Sequence, residues 1–345
     1  MKAPPQAACR ARLGSPLGPI RKAARTRPWS RAQARGADYF TAFQFESRHK
    51  IRSGGSGRIV ESYDVQSKGT RISVRSKSDK DSEGISTDDS GKTPSPAVLL
   101  LLWSGSKSGA LLDASVLDPE QTYTFSGTPV AWLGAASNDD SLGLLESMFP
   151  RVEGEHLKTT MLFLASCHTG PRGYAFLKKT ALGPEAVKVR ESTVFWLGQS
   201  GDPRVLADLK EILGREKSAD LRKSVVFALS QMKSAEATAT LIGLAKADAD
   251  PEVRKNAVFW LGQKASAESV KALKDIVEAK DGESGLKDQA VFALSQLPKE
   301  RSVPMLIDIA RTNASPSVRK KAIFWLGQSG DEKALKFFEE ILLKK

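Results

Sequence analysis

The residues able to do covalent or metal chemistry in this chain are few and scattered. Cys167 and His168 are neighbours in sequence. A thiolate–imidazole nucleophile, however, needs its two side chains to converge in space, with a third group orienting the ring, and adjacency along the chain does not supply that. The position of Cys167 reads as a helix-end turn. The other cysteine, Cys9, and the other histidines, His49 and His156, lie far apart and give neither a disulfide framework nor a zinc spacing. The glycine-rich stretch SGGSG at 53–57 has polar flanks and no helix behind it, so it is a turn rather than a phosphate loop. No catalytic residue, metal or cofactor is expected.

What recurs is packing chemistry. FWLGQ or FALSQ begins at Phe195, Phe227, Phe259, Phe292 and Phe324, with spacings of 32, 32, 33 and 32 residues. The same step backwards reaches Phe163 in FLASC and Ala131 in AWLGA. Four ladders ride on this period. Arg190, Arg222, Arg254, Lys287 and Arg319 precede each aromatic by five residues, which turns them toward the repeat junction, where a guanidinium suits the carbonyls or an acid of the preceding loop. Gln199, Gln231, Gln263, Gln296 and Gln328 close each first helix, where a side-chain amide would bond open terminal carbonyls. Trp132, Trp196, Trp260 and Trp325 alternate with the small or aliphatic residues Leu164, Ala228 and Ala293, so indole is expected to interlock with the small side chain of the next first helix. Phe163, Phe195, Phe227, Phe259, Phe292 and Phe324 fall opposite the buried stripe, on a convex edge. They form either an interaction ladder or rings tilted into the grooves between helices.

The elements that carry these ladders are helix pairs. In each first helix, residues such as Val253, Ala257 and Leu261 follow i, i+4, i+8 spacing. Asp202-Pro203, Ser234, Ser266 and Asp331 offer N-caps for the second helix, whose apolar positions read Val205, Leu206, Leu209, Ile212, Leu213 and, last in the chain, Ala334, Leu335, Phe338, Ile341, Leu342. Neither helix buries its face without neighbours, and periods of this length mean stacked supersecondary units. The pattern of cation, Ala, Phe and Leu-Gly or Leu-Ser resembles the short HEAT-like repeats first grouped with phycobilin lyases. The alternation of FWLGQ with FALSQ after a β-containing leader resembles, more narrowly, bacterial HEAT-repeat proteins. That resemblance implies a mainly α fold, a right-handed α–α superhelix used for protein contacts and often found in exported proteins.

Three segments are expected: a basic tail at 1–38, disordered or a misassigned start; a small β-rich leader at 39–127 with a polar loop near 76–97; and about seven repeats at 128–345. Strand candidates in the leader are Arg71–Val74, Val98–Trp103, Ala110–Leu117 and Thr122–Phe125. The net charge of +12 resides mostly in the tail, where residues 1–37 hold nine Lys/Arg and no acid; residues 181–345 hold 27 against 23. A nearly neutral array argues against a groove for nucleic acid. No apolar run approaches the roughly 20 residues of a membrane span. As the chain stands it reads as cytoplasmic, or as exported if the start is misassigned. The expected function is a non-catalytic protein–protein interaction scaffold with a protein partner. The alternatives are a phycobilin lyase or isomerase-like chaperone and a HEAT-like nucleic-acid-binding repair protein.

Overall fold

A computed structural model describes residues 39–47, 97–104, 111–117 and 130–343. The tail at 1–38, the polar loop near 76–97 as far as residue 96, and the candidate strands Arg71–Val74 and Thr122–Phe125 lie outside the described residues. The chain forms two compact units, Met1–Trp196 and Leu197–Lys345.

The first unit is built on a four-stranded sheet of order β3-β2-β1-β4. Its strands are β1 (Tyr39–Glu46), β2 (Ala97–Ser104), β3 (Leu111–Leu117) and β4 (Val130–Ala135). β1 is central, antiparallel to β2 and parallel to β4. It is covered on both faces: Phe40, Ala42, Phe43 and Phe45 are all buried. The expected strands Val98–Trp103 and Ala110–Leu117 correspond to β2 and β3, whereas YFTAFQFE, interior on both faces, has no clean alternation to mark β1. AWLGA, expected to be part of a helical repeat, is a strand instead: Ala131 and Trp132 lie on β4, with Trp132 opposite Ala42. Gly134, at a φ of 84°, departs from helical backbone just where a helix would have to continue.

After the sheet come α1 (Asn138–Met148), α2 (Glu155–Ser166), α3 (Pro171–Leu182) and α4 (Val187–Gly198), the last crossing into the second unit. α2 packs on β3, and α1 packs on β1. The second unit continues with α5 (Val205–Arg215), α6 (Ala219–Gln231), α7 (Ala235–Ala247), α8 (Pro251–Lys264) and α9 (Ala267–Glu278). α10 (Ser284–Ser295), α11 (Lys299–Thr312), α12 (Pro316–Ser329) and α13 (Glu332–Leu343) complete it. The described residues therefore hold six helix pairs, from α2/α3 to α12/α13, rather than seven, since β4 stands in the place of one first helix.

Within the second unit, first helices stack in sequence, α6 on α8, α8 on α10 and α10 on α12. The expected stripe Val253, Ala257 and Leu261 is fully buried. Ser234 and Ser266 cap α7 and α9 as their hydroxyls accept from backbone N–H groups of the first turn. α13 departs from expectation. Ala334 and Phe337 are buried, while Leu335, Ile341 and Leu342 are exposed. Their equivalents in α5, Leu206 and Ile212, are covered, and no described helix follows α13 to do the same.

Candidate functional site: a sealed histidine and four repeat ladders

Cys167 and His168 end α2 and close against the sheet, with Ser47 bridged to His168. The His168 ring stacks on Phe45 at 4.2 Å, with only 5° between the ring planes. Its Nδ1 lies 2.8 Å from the Leu164 carbonyl and its Nε2 lies 2.6 Å from Ser141 Oγ. A carbonyl only accepts, so Nδ1 carries the proton and Nε2 accepts from the serine hydroxyl. Burial pushes the imidazole down to about 4, against the upward pull of the Leu164 and Ala165 hydrogen bonds. Burial also pushes the Cys167 thiol up to about 12, opposed by hydrogen bonds with Ser47 and Ser166.

Ser141, His168 and the Leu164 carbonyl thus have the connectivity of a nucleophile, a base and an orienting group. Ser141 and His168, however, are 1% and 3% exposed, so neither side chain is offered to solvent. Their work is to fasten α1 and α2 to β1. No spacing or motif in the sequence connects Ser141 to His168, 27 residues away on a different helix. Of the other chemistry-bearing residues, His156 is exposed, and Cys9 and His49 lie outside the described residues. No group of three or more His, Cys, Asp or Glu that could hold a metal occurs among the described residues.

The cationic ladder is a set of clamps. Arg190 donates from Nε to the Ala181 carbonyl at 2.9 Å. Arg222 donates from Nη1 to the carbonyls of Leu213 and Glu216, and its remaining donors take Asp248, whose side chain is fully buried. Arg254 donates to the Asp248 carbonyl at 2.6 Å and to Glu283 at 2.7 Å. Arg319 donates to the carbonyls of Asn313 and Ala314. The carbonyls come from the last turn of the preceding helix (Ala181, Leu213) or from the loop after it (Glu216, Asp248, Asn313, Ala314). The carboxylates of Asp248 and Glu283 come from the following loop, so these two guanidiniums staple consecutive repeats. Lys287 is buried, with its stem against Gly282.

The glutamines sit differently from expectation. Gln231 and Gln296 donate from Nε2 to Ser230 and Ser295 Oγ, not to terminal carbonyls. Lys264, from the next first helix, supplies the carbonyls of Ser230 and Met232 instead. Gln263 and Gln328 are exposed, and Gln199 is half-buried. An exposed helix end is solvated and does not require the amide.

The indoles meet phenyl rings. Trp196 lies against Phe163 and Phe195, Trp260 against Phe227 and Phe259, and Trp325 against Phe292 and Phe324, with centroids 4.8 to 5.2 Å apart. Each indole thus joins the ring of its own repeat to that of the preceding one. The small residue has its own partner. A Cβ added to Gly262 would come within 2.8 Å of Ala293 Cβ, and one added to Gly198 within 2.9 Å of Ala228 Cβ. Trp with Gly therefore alternates with Ala and Ser, and the serines return hydrogen bonds to the Phe227 and Phe292 carbonyls at 2.7 Å. Five phenylalanines are half-buried by these contacts; Phe324 is 53% exposed.

A family model described as HEAT repeats matches residues 175–258, 240–313 and 279–345. Among solved structures, YibA of Escherichia coli is 19% identical, with a TM-score of 0.36 over 60% of this chain and 77% of that one. Human deoxyhypusine hydroxylase, solved in complex with glycerol, is 18% identical, with a TM-score of 0.26 over 59% of this chain and 78% of that one. No curated protein matches the chain.

Proposed function

From residue 175 to 345 the chain consists of HEAT repeats, and on that premise we propose that it is a non-catalytic scaffold that binds a protein partner along its second helices. One observation carries this reading. The cationic, indole and most phenylalanine ladder residues recur from repeat to repeat and are engaged in stapling, stacking and packing, whereas equivalent outward positions of the second helices change. Ala207, Ala239, Lys271, Pro304 and Lys336 occupy one such position and all are exposed. A surface regular in backbone and irregular in chemistry suits an extended macromolecular partner better than a small substrate.

The test uses the immobilised full-length chain to capture partners, followed by reconstitution with the purified partner. A stoichiometric complex weakened by changes at Ala239 or Lys336 is the expected result. A purified chain that instead shifts the absorbance of an added bilin, or binds DNA in a salt-dependent way without residues 1–38, would favour one of the two other readings.

A further inference from the structure

Across the second helices of Leu197–Lys345, neighbours neutralise one another. Lys210 on α5 meets Glu236 on α7 at 2.6 Å, Lys246 on α7 meets Asp275 on α9 at 3.2 Å, and Arg311 on α11 pairs with Glu340 on α13. Between α9 and α11 no ion pair is found among the described residues. There Lys271, Lys274 and Arg301 instead line a single hollow of about 420 Å³, with Ala267, Val270 and Met305 as its apolar part.

α7 packs on α9 and α11 on α13, while α9 and α11, like α5 and α7, pack less closely. No acid is among the residues that line the hollow. Asp275 is engaged by Lys246. Glu268 turns back on its own helix start, where its backbone N–H and Ser266 hold its carboxyl below the usual range.

Three cations border one hollow, Arg301 also donating from Nη1 to the Ala265 carbonyl at 3.3 Å, and an anion is complementary in charge to them. We propose that this hollow binds a short acidic peptide segment with an aliphatic side chain between its carboxylates. The carboxylates meet Lys271, Lys274 and Arg301, and the aliphatic group rests on Val270 and Met305. This rests on the scaffold reading and names its partner's chemistry. A nucleic acid fits less well: no aromatic ring lines the hollow for bases to stack on, and Glu236, Asp275 and Glu340 along the same row repel a phosphate backbone.

The experiment is fluorescence anisotropy of the full-length chain with a labelled peptide of glutamates flanking one leucine. Binding should fall about tenfold or more for Lys271→Glu with Lys274→Glu, and by an intermediate factor for the corresponding Gln pair. Lys233→Glu with Lys333→Glu, which changes net charge equally at exposed sites elsewhere, should alter it by less than about twofold. Replacing the leucine by serine should weaken the peptide, and replacing glutamates by glutamines should abolish binding. Equal loss from both charge reversals, absence of binding, or displacement of the peptide by a lower concentration of single-stranded oligonucleotide would overturn the proposal. So would equal capture of one protein partner by the wild-type and Lys271→Glu/Lys274→Glu chains, a result that leaves the scaffold reading standing.

Discussion

His168 shows how a residue suited to chemistry is used for construction. Its folded-state value of about 4 lies below the ordinary 6.5. The neutral form therefore loses nothing above pH 6.5, and stability falls as pH drops from there toward 4, while the unfolded chain takes up a proton that the folded chain refuses. The full effect is about 3 kcal/mol. Denaturation followed from pH 7 to 4 should show this loss in the wild type and a shallower one in His168→Gln. Parallel curves would mean the ring titrates freely. The clamp residues make a second comparison. Arg222→Ala strands the buried Asp248 carboxylate and should cost about 3–5 kcal/mol in urea denaturation. Arg319→Ala removes hydrogen bonds to carbonyls alone and should cost about 1–2 kcal/mol. Spacing made the clamp ladder legible because every arginine repeats at the same offset. The partners of His168 were not legible, since Ser141 and Phe45 come from other elements and no period connects them.

At the scale of the element, alternating repeats are two half-designs that fit only each other. Gly262→Ala forces a methyl against Ala293 and should destabilise by about 1–3 kcal/mol, with Ala293→Gly in the same chain restoring much of the loss. Gly327 is the equivalent glycine in α12 and has nothing within 4 Å, so Gly327→Ala should be neutral or stabilise by up to about 1 kcal/mol through helix propensity. Thermal denaturation of both variants checks the contrast, and equal effects would contradict the packing. The alternation of Trp with Ala was visible in sequence, but its partners were not. A ring on a helix reaches sideways as readily as forward, and only coordinates show that each indole leans on phenylalanine. β4 misled for a related reason: AWLGA has the letters of the repeat, and pairing with β1 overrode them.

At the scale of the whole molecule, periodicity was the strongest signal in the sequence, because each pair buries its face only against the next and so must repeat it. The sheet was partly hidden, with β1 buried on both faces and lacking the alternation that marks a half-exposed strand. The scaffold reading is a claim about which surface a partner touches, and hydrogen–deuterium exchange of the full-length chain, free and bound to its captured partner, tests it most directly. The account predicts new protection concentrated in α7, α9 and α11, strongest around Lys271, Lys274 and Arg301. Protection confined to the Phe195–Phe324 edge of the first helices, with the second helices unchanged, would contradict it.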